Sequence, residues 1–398
     1  MKKSLLALAA LSAIAGAAQA QSSVTVYGIL DVGYINAHTN GSGTDANLKA
    51  NTSTFGNSAE QTSRLGFKGT EDLGNGTQAL FTIETQLQPT SGTFTSLQTR
   101  QAFAGVHKNG VGQAAVGTQY TPAFNALAAT DVGQTNNMPG EAVYPQQLGS
   151  SNGDSNPAAY GGAANGNMYG GTSGIVVRTG NTLTAQSDAF AGFKLGGAYT
   201  LNNNSTSNTT GATSNTITNF SGWGLNADYT WNKLFVTVAQ QNYKSQNSTT
   251  AAGTGVVTYA AAAPTAQTGG SNVQDNQTYA GATYDFGILK AYAQWTTRKL
   301  QLVQDTSYFV KRSAQQIGVR SYITPTIEGW AVIGNGRAAA YGQNIPTANF
   351  TAWQLGANYY LSKRTNLYAI YGTNQTSSTS YVTGVSNSAM ATGIRHTF

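Results

Sequence analysis

Side chains suited to acid–base, nucleophilic or metal chemistry are scarce in this chain. There are three histidines, His38, His107 and His396, and no cysteine. A hydrolase needs a base held beside a nucleophile, and a metal centre needs several ligands brought together. The histidines fall in a loop, at a turn and near the C-terminus, none near a plausible Ser or Asp partner in the layout derived below. Neither an enzyme nor a site for a metal or other cofactor is therefore expected. Lysine and arginine are scattered singly, where a nucleic-acid binder would gather them along one face. Without cysteine no disulfide staples the fold, so backbone pairing and packing must hold it.

The elements that would position any functional group begin after a leader. Met1, Lys2 and Lys3, an apolar run from Leu5 to Ala18 and the small-x-small triplet Ala18-Gln19-Ala20 read as a secretory signal peptide over residues 1–20. The run is too short to span about 30 Å of hydrocarbon. Removing Lys2 and Lys3 leaves a mature chain, 21–398, of about +4. Charged residues make up 9% of the sequence, against roughly a quarter in soluble domains, and Gly, Asn, Thr, Ser and Tyr fill the space.

No later stretch could form a spanning helix, yet apolar residues recur at spacing two. Phe193, Leu195, Gly197 and Tyr199 alternate with Lys194, Gly196, Ala198 and Thr200. Trp353, Leu355, Ala357, Tyr359 and Leu361 alternate with Gln354, Gly356, Asn358 and Tyr360, and Leu289, Ala291, Ala293 and Trp295 with Lys290, Tyr292 and Gln294. Such segments have one lipid face and one wet face, and in lipid only helices and closed barrels satisfy the backbone.

Breaks between segments alternate in length. Short ones fall at Glu71 to Gly76, Lys108 to Gly110, Asp188 to Gly192, Asn232-Lys233, Phe286-Gly287, Thr324 to Gly329 and Ser362-Lys363. Long polar ones fall at His38 to Glu60, Pro89 to Ser96, Thr121 to Gly174, Asn202 to Phe220, Lys244 to Asp275, Lys299 to Val310, Ala338 to Asn349 and Asn374 to Ser388. Seven turns and eight loops connect 16 antiparallel strands, with turns and termini expected in the periplasm. A transmembrane β-barrel of that size encloses an aqueous channel, so the strand count itself argues for transport. The third long loop carries Pro122, Pro139, Pro145 and Pro157, the carboxylates Asp131 and Glu141, and the aromatic residues Phe124, Tyr144 and Tyr160. Its length and its anchors suggest a loop folded into the lumen.

Several motifs resemble the general porins of Gram-negative outer membranes, in the branch common among beta-proteobacteria. Ser23-Val24-Thr25-Val26-Tyr27-Gly28-Ile29-Leu30-Asp31-Val32-Gly33 resembles the first strand of that family. Ser63-Arg64-Leu65-Gly66-Phe67-Lys68-Gly69-Thr70-Glu71-Asp72-Leu73-Gly74-Asn75-Gly76 resembles its second strand and first periplasmic turn. Arg100-Gln101-Ala102-Phe103-Ala104-Gly105, Leu361-Ser362-Lys363-Arg364-Thr365-Asn366-Leu367-Tyr368 and Gly393-Ile394-Arg395-His396-Thr397-Phe398 resemble later strands. The resemblance implies a homotrimer of 16-stranded barrels in the outer membrane, each with its own pore for small hydrophilic solutes. It implies contact with lipid and lipopolysaccharide, and a terminal Phe398 read by the barrel assembly machinery. A channel selective for one sugar or anion is the alternative within transport; the lumen candidates Tyr27, Tyr284 and Tyr292 make no evident row for a sugar to follow. A surface adhesin is more remote, because no short repeat is present.

In this family arginines on the wall face carboxylates on the third loop. The resemblance assigns Arg64 and Arg178 to the wall and Asp131 and Glu141 to the loop. Thr118 stands where an arginine is expected, and Ile29 where some relatives are basic. Alternation agrees for Arg64, since Leu65 and Phe67 take the lipid face and leave Arg64 and Lys68 inside, where a charge avoids about 2 to 4 kcal/mol of exposure to lipid. Arg100, Glu84, Lys194, Lys290, Asp228 and Asp285 follow by the same reasoning, and Asp31 and Thr118 are further expected lining residues. The lipid-face row Val24, Val26, Leu30 and Val32 lacks girdle aromatics and is the expected trimer contact.

Overall fold

The computed structural model describes residues 23–42, 49–90, 99–145, 175–206, 216–249, 259–260, 263–264, 271–303, 306, 309–341, 347–377 and 384–398. The signal peptide, Pro157 and Tyr160 lie outside the described residues.

The chain closes into a 16-stranded antiparallel barrel. Its strands are β1 (Ser23–Ser42), β2 in two pieces (Lys49–Asn57 and Arg64–Gly74), β3 (Thr77–Gln86), β4 (Thr99–Lys108), β5 (Gly112–Tyr120), β6 (Arg178–Ser187), β7 (Phe193–Thr206) and β8 (Thr216–Trp231). There follow β9 (Leu234–Thr249), β10 (Ser271–Asp285), β11 (Lys290–Leu302), β12 (Phe309–Thr324), β13 (Ile327–Tyr341), β14 (Ala348–Tyr360), β15 (Thr365–Thr376) and β16 (Gly384–Thr397). Each strand pairs with the next, and β16 returns to β1 with Ile29 opposite Thr397. The last residue completes the seam. Gly28 N–H donates to the Phe398 carbonyl at 3.0 Å and Phe398 N–H to the Gly28 carbonyl at 3.1 Å. A Cβ on Gly28 would lie 2.3 Å from the Phe398 ring, so this glycine makes room for the terminal aromatic.

All seven tight turns occur where the sequence places them, and the strand faces follow the alternation. Leu195, Tyr199, Trp353, Leu355 and Tyr359 are exposed on the outside, while Thr200, Gln354 and Asn358 are buried on the inside. Tyr284 departs from its expected lumen position: it is exposed, shares the outward parity of Ala280 and Ala282, and packs its ring against Phe286 at 4.7 Å.

Strands also run further than expected. β1 continues to Ser42 against Lys49–Asn57, β9 to Thr249, and β7 and β8 pair up to Thr206 and Thr216. Ladder hydrogen bonds need no apolar side chain once the strand has left the lipid. Polar cross-strand contacts take over, as where Asn36 Nδ2 donates to Ser53 Oγ at 2.7 Å and Thr39 Oγ1 to Asn387 Oδ1 at 2.9 Å.

The third loop lies inside the barrel. It opens on helix α1 (Pro122–Thr130), where Thr121 caps the N-terminus by accepting from Phe124 N–H at 3.2 Å and Pro122 fills the first turn, which loses no hydrogen bond there. Four alanines favour the helix. Phe124, Leu127, Val143, Tyr144, Ile175 and Val177 pack on Ala239, Tyr279, Ala314 and Phe350 of the wall. Further along, Val132 and Met138 pack on Trp330, Tyr368, Ile370 and Ala391. The loop thus bridges the lumen side of β9 to β16 and gives this hollow barrel an apolar core.

Candidate functional site

Opposite the wall that carries the loop, one group of polar side chains spans six consecutive strands. Tyr27 (β1), Arg64 (β2), Glu84 (β3), Arg100 (β4), Tyr120 (β5) and Arg178 (β6) meet around a single carboxylate. Arg100 Nε donates to Glu84 Oε1 at 2.7 Å, Arg64 Nη1 stands 3.9 Å from the same oxygen, and Tyr27 OH donates to Glu84 Oε2 at 3.1 Å. Arg100 Nη2 donates to Tyr120 OH at 2.7 Å, and the Arg178 guanidinium lies 5.9 Å from the centre of the Tyr120 ring. Among the described residues, Arg178 Nε and Nη1 have no hydrogen-bond partner. Lys68 stands over the Tyr27 ring at 5.5 Å.

Two local features build this group. Gly66 sits between Tyr27 and Glu84 in the ladder, and a Cβ there would lie 2.3 Å from the Tyr27 ring, so only glycine lets the tyrosine cross β2. In β5 the ladder to β6 shifts between Gly117 and Gln119, a bulge that brings Tyr120 inward although Val116, of the same parity, faces out. Thr118 lies half-buried at this bulge, its hydroxyl 3.4 Å from where a Cβ on Gly180 would be. Of the arginines, Arg64 is the most open, its side chain 20% exposed against 9% for Arg100.

Asp131 and Glu141 lie elsewhere, each 2% exposed on the side of the loop that faces the wall. Among the described residues, no ion pair joins either of them to Arg64, Arg100 or Arg178. Asp131 accepts from Thr135 N–H at 2.6 Å and Gln316 Nε2 at 3.4 Å. Burial, and for Glu141 also the adjacent Asp131 carboxylate, holds both groups above the ordinary carboxylate range. Among the described residues, neither Glu141 carboxylate oxygen has a hydrogen-bond partner at ordinary geometry.

A row of glutamines, absent from the sequence-based expectations, fixes the loop. Gln241, Gln277, Gln294, Gln316 and Gln354 are buried on β9, β10, β11, β12 and β14. Gln316 Oε1 accepts from Ala142 and Val143 N–H, both at 2.9 Å, and Gln277 Oε1 from Val176 N–H at 2.8 Å. Gln354 donates to the Pro139 carbonyl at 2.9 Å and accepts from Asn136 at 2.7 Å. Inward charges on this side are also mostly paired: Arg320 is bidentate on Glu328 with both contacts at 2.7 Å, and Arg298 reaches Asp275 at 2.9 Å. Arg312 and Arg320 share the inward parity set by Ile317 and Val319, a signal the sequence did contain.

Asp31 needs correction as a lining residue. It faces inward but is fully covered, accepting from Glu60 N–H at 2.8 Å, Gln61 N–H at 2.6 Å and Tyr368 OH at 2.7 Å. It braces the excursion that splits β2. His107 does have an acidic partner: Asp188 Oδ1 lies 2.9 Å from its Nε2, while Asp188 Oδ2 accepts from Gly110 N–H at 2.7 Å. The His107 hydrogen bond holds the Asp188 carboxyl below its ordinary range, and the pair ties two periplasmic turns together.

A closed, lumen-bearing barrel with an inward third loop and a basic wall is matched by a sequence model described as Gram-negative porin, over residues 7–379. The chain belongs to the Gram-negative porin family. Like its relatives, this porin is an outer-membrane channel for passive diffusion of small hydrophilic solutes and ions. It is 29% identical to an outer membrane porin protein of Bordetella pertussis over the full length of both chains. It is 37% identical to outer membrane porin protein 32 of Delftia acidovorans over 134 residues, 33% of this chain and 36% of that one. An anion-selective porin from Comamonas acidovorans has the same fold, with a TM-score of 0.68 at 21% identity, covering 95% of this chain and 100% of that one. A trimer form of OmpT from Vibrio cholerae aligns with a TM-score of 0.57 at 13% identity, over 95% and 99% of the two chains. These relatives are channels, with no enzyme among the names.

Proposed function

We propose that the narrow zone of this porin lies between the third loop and the row Arg64, Arg100 and Arg178, and that it passes small anions somewhat more readily than cations. The observation that carries this reading is the charge on the two sides. Three guanidinium groups line one row beside a single carboxylate, Glu84, while Asp131 and Glu141 are buried on the side of the loop turned to the wall, where burial disfavours their charged forms. Fixed surplus charge in a water-filled pore raises the local concentration of the counter-ion. Asp131 and Glu141 then hold the loop in place, and Lys68 adds to the positive side. The anion-selective solved relative is consistent with this reading.

The assembly proposed is a homotrimer joined through Val24, Val26, Leu30 and Val32, with Val24 and Val26 more than half exposed on the single barrel. Residues 1–20 act as a cleaved export signal, and Phe398, at the seam, is the residue the assembly machinery reads. The protein then sits among outer-membrane lipid and lipopolysaccharide. Swelling of liposomes with neutral sugars of graded size tests the channel's lack of specificity. Rates that fall smoothly with solute size are expected. Saturable uptake of one sugar with exclusion of smaller ones would instead mark a selective channel.

A further inference from the structure

Arg100 and Arg178 carry like charges and reach the same part of the lumen, where Coulomb repulsion drives two free guanidinium groups apart. Tyr120 stands against both. Its hydroxyl oxygen accepts from Arg100 Nη2 at 2.7 Å, and its ring centre lies 5.9 Å from the Arg178 guanidinium. A phenol oxygen and the face of an aromatic ring are both electron-rich, so one neutral side chain attracts two cations without cancelling their charge. Glu84 also holds Arg100, at 2.7 Å, but subtracts a unit charge from the row.

The same ring packs on Phe124 of α1, with centres 4.8 Å apart, and Phe124 stands 6.0 Å from Tyr144 further along the loop. Tyr120 therefore touches the basic row and the third loop at once. Its neighbours in sequence build this position. Gly117 has φ of +141°, and a Cβ there would lie 2.1 Å from the Ala102 carbonyl oxygen, so the bulge requires glycine. Gln119 staples the bulge: its Nε2 donates to the Ala115 and Thr182 carbonyls, both at 3.1 Å, and its Oε1 accepts from Thr184 Oγ1 at 2.7 Å. On the other side, Thr121 donates its hydroxyl to the Val176 carbonyl at 2.6 Å and its N–H to the Val177 carbonyl at 3.1 Å while capping α1. Bonds on both sides of Tyr120 thus fix its backbone at the junction of strand and helix.

We infer that Tyr120 is a positioning residue for ion selectivity: it sets the spacing of Arg100 and Arg178 and couples that spacing to the seat of the third loop. The inference rests on the proposed narrow zone between this loop and the basic row. Removing the Tyr120 hydroxyl leaves every formal charge in place, so a change in ion preference reports where the guanidinium groups stand and not how many there are. Without that oxygen, Arg100 keeps Glu84 as its partner and moves away from Arg178. The positive surplus then spreads over a wider stretch of lumen, and a passing ion meets a weaker field.

Zero-current potentials of the full-length protein in planar bilayers under a KCl gradient test this, with folding checked by heat-modifiable migration. Tyr120→Phe is expected to lower the chloride-to-potassium permeability ratio by up to about twofold, the effect of moving one unit charge about 3 Å further from a path about 6 Å away. Phe124→Leu, which leaves Tyr120 and all charges intact but removes the ring behind it, should shift the ratio the same way by less. In an Arg100→Gln background, Tyr120→Phe should add no further shift, whereas independent effects would add. An unchanged ratio in folded Tyr120→Phe protein would overturn the inference, and a loss of conductance or thermal stability beside it would leave Tyr120 a structural role alone. An undiminished shift in the Arg100→Gln background would overturn it too. Failure of the narrow zone itself reads differently, because Arg100→Gln alone would then leave the ratio where it is in the wild type.

Discussion

Replacing Arg64 by glutamate changes the sign of the most open cation in the basic row. The row then holds two guanidinium groups, Arg100 and Arg178, against Glu84 and the new carboxylate, so its surplus disappears. An ion passing about 6 Å from a unit charge in water gains or loses about 0.7 kcal/mol, and screening at physiological salt leaves about half of that. The substitution shifts two unit charges, hence about 0.7 kcal/mol, or roughly threefold in the local concentration of each ion. Anion and cation move in opposite directions, so the permeability ratio changes by up to roughly tenfold. In planar bilayers under a KCl gradient, the zero-current potential of Arg64→Glu should move towards cation preference. Folding is checked by heat-modifiable migration. An unchanged potential in folded protein would refute the reasoning, because Arg64 would then stand away from the ion path.

Three other perturbations address the loop and the seam. Gln316→Leu removes the acceptor for two buried N–H groups, Ala142 and Val143, costing about 1 to 3 kcal/mol for each; single-channel records should show increased open-state current noise. Glu141→Gln should flatten the pH dependence of thermal stability. A carboxyl whose pKa is raised on folding contributes stability that is present at low pH and lost as pH rises through the raised value, and glutamine has no proton to lose. Melting temperatures from about pH 5 to about pH 9 measure this, and a wild-type profile no steeper than the variant's would contradict it. Gly28→Val drives a side chain into the Phe398 ring and the Arg64 carbonyl, so folded protein in outer-membrane fractions should fall sharply.

Much of the fold is legible because a strand between lipid and water repeats every second residue. The parity of Trp353, Leu355 and Tyr359 sets the register of β14, and tight turns announce themselves in Gly, Asn and Asp. Strand ends are not legible, since Ser42 or Thr249 pairs without any apolar pattern. Of the site, the inward parity of Arg64, Glu84 and Arg100 is legible by alternation, and these three meet, while Arg178 reaches the group only across the Tyr120 ring. The placement of Asp131 and Glu141 could not be read, because it depends on which side of a long loop meets a row of glutamines far away in sequence. Tyr120 was missed for a local reason, a bulge at Gly117 that reverses parity. His107 and Asp188 meet because two turns 81 residues apart in sequence lie side by side.

The central claim is a passive pore biased towards anions by its wall. Wild-type protein reconstituted in planar bilayers, with KCl at unequal concentrations on the two sides, tests it most directly. Stepwise conductance should close in three equal levels at high voltage, and the zero-current potential should lie on the anion side of zero. A potential on the cation side, or no ionic conductance from folded protein, would contradict the account.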